Sequence, residues 1–149
     1  MNISSLLSPK SVLCLHNSSS KKRILEDISE HLGGQFPGIN ANTIFSALIS
    51  REKLGSTGIG NGIAIPHCRI PECNKIIAML ITLEKSIDFD AIDSRPVDVI
   101  FVLLVPEDAN ENHLKTLAKI AETFSDEKIL SSVRHATNND ELLQAVQST

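Results

Sequence analysis

Three glycines at alternate positions, Gly58, Gly60 and Gly62, lead into Ile63-Ala64-Ile65, and the run STGIGNGIAIPH (56–67) stops at Pro66 and His67. This stretch cannot become a helix. Glycine weakens one and proline ends one, and the residue before a proline is pushed toward an extended conformation. Glycine also lets another backbone or an anion approach closely. His67 therefore follows a rigid extended segment that holds it in one orientation. Imidazole titrates near physiological pH, and its nitrogens serve as nucleophiles as well as bases. By itself such a run also marks an ordinary turn followed by a structural histidine.

Two nucleotide signatures are absent from the run. The dinucleotide fingerprint needs GxGxxG opening a helix, and the apolar residues after Gly62 do not open one. No GxxxxGK[ST] loop is present, so nothing argues for bound ATP.

Composition narrows the classes further. The 149 residues suit one domain of ordinary size, 1–149, with 42% hydrophobic residues to fill a core. A formal charge of -4 argues against a nucleic-acid partner held by phosphate contacts. With five Phe and no Tyr or Trp, base-stacking platforms are not expected either. No apolar stretch reaches membrane-spanning length, and the first residues lack the charged and apolar regions of a signal peptide. Three cysteines at irregular spacing, Cys14, Cys68 and Cys73, read as reduced thiols of a cytoplasmic protein.

The pattern along the chain alternates. A short strand fits 12–15. Ser18–Ser20 offers a helix N-terminus, with Ile24, Leu25, Ile28 and Leu32 on the buried face and Gly33-Gly34 as its stop. A second helix begins near Asn40, buries Ile44, Phe45, Leu48 and Ile49, and ends at Gly55. Two near-continuous apolar runs, 76–83 and 97–105, read as central strands covered on both faces. Asp108 offers an N-cap with Glu111 three residues on, and Leu114, Leu117, Ala118, Ala121 and Phe124 form the next buried stripe. One or two further helices fit 128–135 and 139–147. The expected fold is α/β, a mixed β-sheet sandwiched between helices.

Candidate partners for His67 follow from position. His113 lies in the first turns of the helix after the 97–105 strand, near the strand end where open sheets bind ligands. Arg51 sits near the end of the second helix and directly before the glycine run, where a guanidinium either snorkels to solvent or meets an anion. His67, Cys68 and Cys73 match no common zinc spacing. Adjacent residues on an extended segment point in opposite directions, so Cys68 does not share the orientation of His67.

Taken together, STGIGNGIAIPH, SREKLGS (50–56), FDAIDSRPVD (89–98) and LLVPEDANENHLKTLAKIA (103–121) resemble the enzyme IIA domain of the bacterial phosphotransferase system. The type is that of mannitol and fructose, and the branch is the nitrogen-regulatory one. The resemblance implies a single α/β enzyme IIA domain with a mixed sheet and no cofactor or metal. It places the phosphorylated histidine at His67, with Nε2 as nucleophile and Nδ1 held by a backbone carbonyl. It places a second active-site histidine at His113 and an active-site arginine at Arg51. Thr57, Gly60 and Gly62 are expected to help bind the phosphate. The implied donor is an HPr-like phosphocarrier protein. The implied targets are potassium-transport proteins and sensor kinases, bound according to phosphorylation state, with no nucleic acid and no membrane insertion. Sugar-transporting relatives instead pass the group to a IIB domain, and a module that only docks is the reading from another class. Family members commonly carry glycine after the histidine. Cys68 in that place leaves open a narrower approach for the donor or a redox-sensitive site.

Overall fold

The computed structural model describes residues 2–109 and 111–147. Two 3₁₀ turns (Ile3–Leu6, Pro9–Ser11) precede β1 (Val12–His16), α1 (Lys21–Gln35) and α2 (Ala41–Leu54). The chain then runs through β2 (Gly58–Gly60), β3 (Ile63–Ala64), β4 (His67–Ile70), β5 (Ile77–Ile87) and β6 (Val97–Pro106). It ends in α3 (Glu111–Ser125), α4 (Glu127–His135) and α5 (Asn139–Val146).

The strands form one mixed sheet in the order β1-β5-β6-β3-β2, with β4 also paired to β6. β1 lies parallel to β5, and β3 and β4 lie parallel to β6, whereas β5–β6 and β2–β3 are antiparallel. β5 and β6 are the long central strands, and their side chains alternate between two cores. Met79, Ile81, Ile100, Val102 and Leu104 pack under α1 and α2. Leu80, Val99, Phe101, Leu103 and Val105 pack on the other face with residues of α3, α4 and α5. Burial on both faces explains why these strands read as unbroken apolar runs. The expected α/β class with a mixed sheet between helices is what the structure shows.

Side chains start the helices where the sequence places them. Ser20 accepts from the Arg23 amide and Asn40 from the Asn42 amide, each satisfying a backbone donor the helix leaves open. Gly55 closes α2 at φ 154°.

Three expectations need correction. α1 does not stop at Gly33-Gly34 but continues to Gln35. A Cβ on Gly33 would lie 2.9 Å from the Ala41 Cβ, so this glycine lets α1 and the start of α2 approach. That packing outweighs a helix cost of about 1 kcal/mol per glycine. The buried stripe of α3 is also turned: His113, Thr116, Ile120, Thr123 and Phe124 face inward, Ala118 is exposed and Leu114 is 65% exposed. Finally, α3 begins at Glu111, so Asp108 lies in the preceding turn rather than at the N-cap. The capping-box side chain of Glu111 lies outside the described residues.

Candidate functional site

β4 begins at His67 because Pro66 ends the hairpin before it, and the Pro66 carbonyl accepts from the Leu103 amide at 2.9 Å. The strand pairs in parallel with β6, His67 opposite Leu103 and Cys68 opposite Leu104. Alternation along β4 sends Cys68 and Ile70 into the core under α1 and α2 and turns His67 and Arg69 to the other side.

The imidazole of His67 is held from both nitrogens. Nδ1 lies 2.8 Å from the Ile65 carbonyl oxygen. A carbonyl only accepts, so in the neutral ring Nδ1 carries the proton and Nε2 carries the lone pair. Arg51 approaches that lone pair from α2, its Nε donating to Nε2 at 3.3 Å while Nη1 donates to the Gly55 carbonyl at 2.8 Å. Burial, opposed in part by the Ile65 hydrogen bond and reinforced by the Arg51 charge, holds His67 below the ordinary imidazole value. The ring is therefore neutral at neutral pH, with a nucleophilic nitrogen facing the pocket.

His113, in the first turn of α3, stands across from it with ring centroids 5.6 Å apart and planes tilted by 57°. It is 9% exposed, and its Nε2 is buried without a hydrogen-bond partner among the described residues. A buried polar nitrogen left unpaired costs roughly 1–3 kcal/mol and is kept where a ligand completes it. Burial, then the neighbouring His67 and Arg69, holds His113 below the usual imidazole range as well. The positive end of the α3 dipole lies on the same side.

Ala47, Arg51, His67, Cys68, Arg69 and His113 line a cavity of about 330 Å³. Among the described residues neither Arg51 nor Arg69 pairs with a carboxylate, so two cations and an unsatisfied imidazole face one small space. The arrangement fits an anion with several acceptor oxygens. Arg69 escaped the sequence reading, although its signal was there: it is two residues from His67 on an extended segment, hence on the same face.

The structure thus brings together His67, His113 and Arg51. Thr57, Gly60 and Gly62 do not line that cavity. Thr57 is buried, and both its amide (3.1 Å) and its hydroxyl donate to the Glu52 carboxylate. Glu52 in turn pairs with Lys21 at 3.0 Å. Asn61 and Gly62, at φ 58° and 80°, make the tight hairpin between β2 and β3, the two positive φ values such a turn requires. The Gly62 carbonyl accepts from the amides of Asp98 and Val99, at the start of β6, whereas His67 sits opposite Leu103. Leu103 is four residue steps along the strand from Val99, roughly 13 Å at about 3.3 Å per residue. Gly60 is nearer Asp93, whose carboxylate would be 3.4 Å from an added Cβ.

Among the described residues no group of three or more His, Cys, Asp and Glu is placed to hold a metal ion. Burial, then the nearby Cys73 thiol, pushes Cys68 up to about 12. It stays a protonated thiol at neutral pH, a poor nucleophile. No helix among the described residues is long and apolar enough to cross a membrane.

Comparison with known proteins places the chain. The family described as "Phosphoenolpyruvate-dependent sugar phosphotransferase system, EIIA 2" matches residues 5–149. The Nitrogen regulatory protein of Pseudomonas aeruginosa is 44% identical over 146 residues, 98% of this chain and 95% of its own length. The crystal structure of Nitrogen Regulatory Protein IIA-Ntr from Neisseria meningitidis matches with a TM-score of 0.90 at 34% identity, covering 97% of this chain and 99% of that one. The crystal structure of IIA mannitol from Escherichia coli, 18% identical, shares the fold with a TM-score of 0.78 over 94% of this chain and 98% of that one.

Proposed function

The chain belongs to the EIIA 2 family of the phosphoenolpyruvate-dependent sugar phosphotransferase system, as a homologue of the nitrogen regulatory proteins, and from that premise we propose that it carries a phosphoryl group on His67 Nε2. The donor is a phosphohistidine on an HPr-like carrier. The Nε2 lone pair attacks phosphorus, a new N–P bond forms, and the donor's N–P bond breaks with its electron pair returning to the donor imidazole. The proton on Nδ1 stays with the Ile65 carbonyl. No metal is consumed or required by this balance.

One observation carries the reading. His67, His113, Arg51 and Arg69 line one small cavity, and His113 Nε2 is buried with no hydrogen-bond partner among the described residues. Phosphoryl transfer asks a protein mainly for positioning and for charge to meet the equatorial oxygens. Arg51 and His113 supply donors there, while the Thr57 donors are taken by Glu52.

Phosphorylation adds charge and acceptor oxygens to a half-buried site, and the exposed Leu114 and Leu54 follow His113 and Arg51 closely along the chain. A target that docks over this surface then binds the two forms unequally. Potassium-transport proteins and sensor kinases are the proposed targets, on the strength of the resemblance to the nitrogen branch.

The test uses the wild-type chain and His67→Ala with phosphoenolpyruvate, enzyme I and the carrier, read by intact mass. The wild type gains one phosphoryl group and the variant gains none. A variant that takes the label as well as wild type does would overturn the assignment.

A further inference from the structure

Arg69 is an exposed residue whose charge no carboxylate meets among the described residues. It is nevertheless fixed. Its Nη1 donates to the Glu107 carbonyl at 2.7 Å and to the Ala109 carbonyl at 2.6 Å. These two carbonyls belong to the short connection between β6 and α3, which folds back through the Ala109 amide onto the Pro106 carbonyl at 3.0 Å. α3 starts two residues after Ala109, and His113 lies in its first turn. One guanidinium nitrogen therefore ties β4, two residues from His67, to the segment that delivers His113.

We propose that Arg69 is a positioning residue for phosphoryl transfer: by clamping the Glu107 and Ala109 carbonyls to β4 it fixes where α3 begins, and so holds the His113 ring beside that of His67. This rests on the reading of His67 as the phosphoryl acceptor. The rings of the two histidines come from different elements, a strand and a helix after a loop. Without a lateral tie, the loop is free to shift the helix start by a fraction of a turn. A displacement of about 1 Å at such a donor is enough to slow transfer well beyond twofold. The charge has a second effect at the same place. Among the described residues the charged groups acting on His113 are His67 and Arg69, both of which, after burial, disfavour its protonation. Arg69 thus helps keep His113 a neutral ring.

The experiment compares wild type, Arg69→Gln and Arg69→Lys. Rates of label arrival from the phosphorylated carrier are measured at rising carrier concentration, and the His113 ring is titrated by NMR without any carrier. Arg69→Gln is expected to lose roughly tenfold in rate at saturating carrier, with little change in half-saturating concentration, and to titrate His113 at higher pH. Arg69→Lys keeps the charge and a donor, so the His113 midpoint returns and most of the rate is rescued. Wild-type saturating rate in Arg69→Gln, or an unmoved His113 titration, overturns the proposal. So does an effect confined to half-saturation, which would make Arg69 a contact for the carrier instead. The two readings fail separately. Absence of label on wild-type His67 removes the phosphocarrier reading, whereas labelled wild type with an indifferent Arg69→Gln discards only the clamp.

Discussion

Arg51 Nε donates to His67 Nε2 at 3.3 Å, so the nitrogen proposed as the nucleophile faces a permanent cation rather than a base. This contact disfavours the imidazolium and keeps the lone pair available. Once phosphorus arrives, the same guanidinium can release the ring nitrogen and turn to the equatorial oxygens, where charge-assisted donors are strongest.

Arg51→Gln should therefore slow phosphoryl arrival by about 10²–10³-fold, the range for removing one charge-stabilising donor. His67 should also titrate at higher pH, because a charge that lowers it is gone. Single-turnover transfer from labelled carrier measures the first effect and ring titration by NMR the second. A variant that transfers at wild-type rate would show that the guanidinium serves only to close the end of α2 through Gly55.

Both site histidines are held below the ordinary value of 6.5, by burial first in each case. Their charged forms are thus favoured in the unfolded chain. The stability tied to them is fully present above about pH 6.5. It is lost as pH falls through the lowered folded-state values. Urea midpoints should be level above neutrality and decline below the unfolded-chain value, and His67→Gln should flatten part of that decline. The rate of phosphoryl acceptance should likewise persist below pH 6.5. A midpoint that falls on raising the pH through this window would reverse the sign and refute the buried, neutral rings.

Much of this was legible in the sequence because hydrophobic period and caps act locally. Ser20, Asn40 and Gly55 bound their helices as expected, and the apolar runs became β5 and β6. His67 was legible because Pro66 fixes the chain just before it. Contacts between elements were not legible. Gly33 reads as a stop until Ala41 is seen against it, and Leu114 reads as core until α3 is turned by its packing. Gly60 and Gly62 are close to His67 along the chain, but Asn61-Gly62 makes a hairpin and β4 carries His67 several residues further along β6, whereas Thr57 returns opposite Ile65 and gives its donors to Glu52. Arg69 had a local signal, its place two residues from His67 on an extended segment, but its role in the fold did not. Its partners, Glu107 and Ala109, are distant in sequence and are backbone atoms that no residue type announces.

Glu52 ties three segments together. Its carboxylate takes Lys21 of α1 at 3.0 Å and the amide of Thr57 at 3.1 Å, with Lys21 also 4.8 Å above the Phe89 ring and 3.7 Å from Asp90. Glu52→Ala should destabilise the fold by about 3 kcal/mol, the lower end for breaking a buried pair, since Lys21 keeps some access to water and to Asp90. Thr57 loses both its acceptors at the same time. Chemical denaturation measures the loss. A change below about 0.5 kcal/mol would mean that the network is as weak as an ordinary surface pair.

Gly62→Ala separates the hairpin from the phosphoryl site. At φ 80° an alanine is strained, and its Cβ would collide with the Arg134 guanidinium and lie 2.8 Å from Asp98 Oδ1. Arg134 donates to the Asn61 carbonyl and pairs with Asp98 at 2.9 Å, so the substitution disturbs the bridge between the hairpin, β6 and α4. The expected loss is about 1–3 kcal/mol of stability. Transfer to His67 at 25 °C in the folded fraction should stay within about twofold of wild type, because the hairpin lies roughly 13 Å along β6 from that ring. A variant that folds normally but accepts phosphate a hundredfold more slowly would return the glycines to the phosphate-binding role the sequence first suggested.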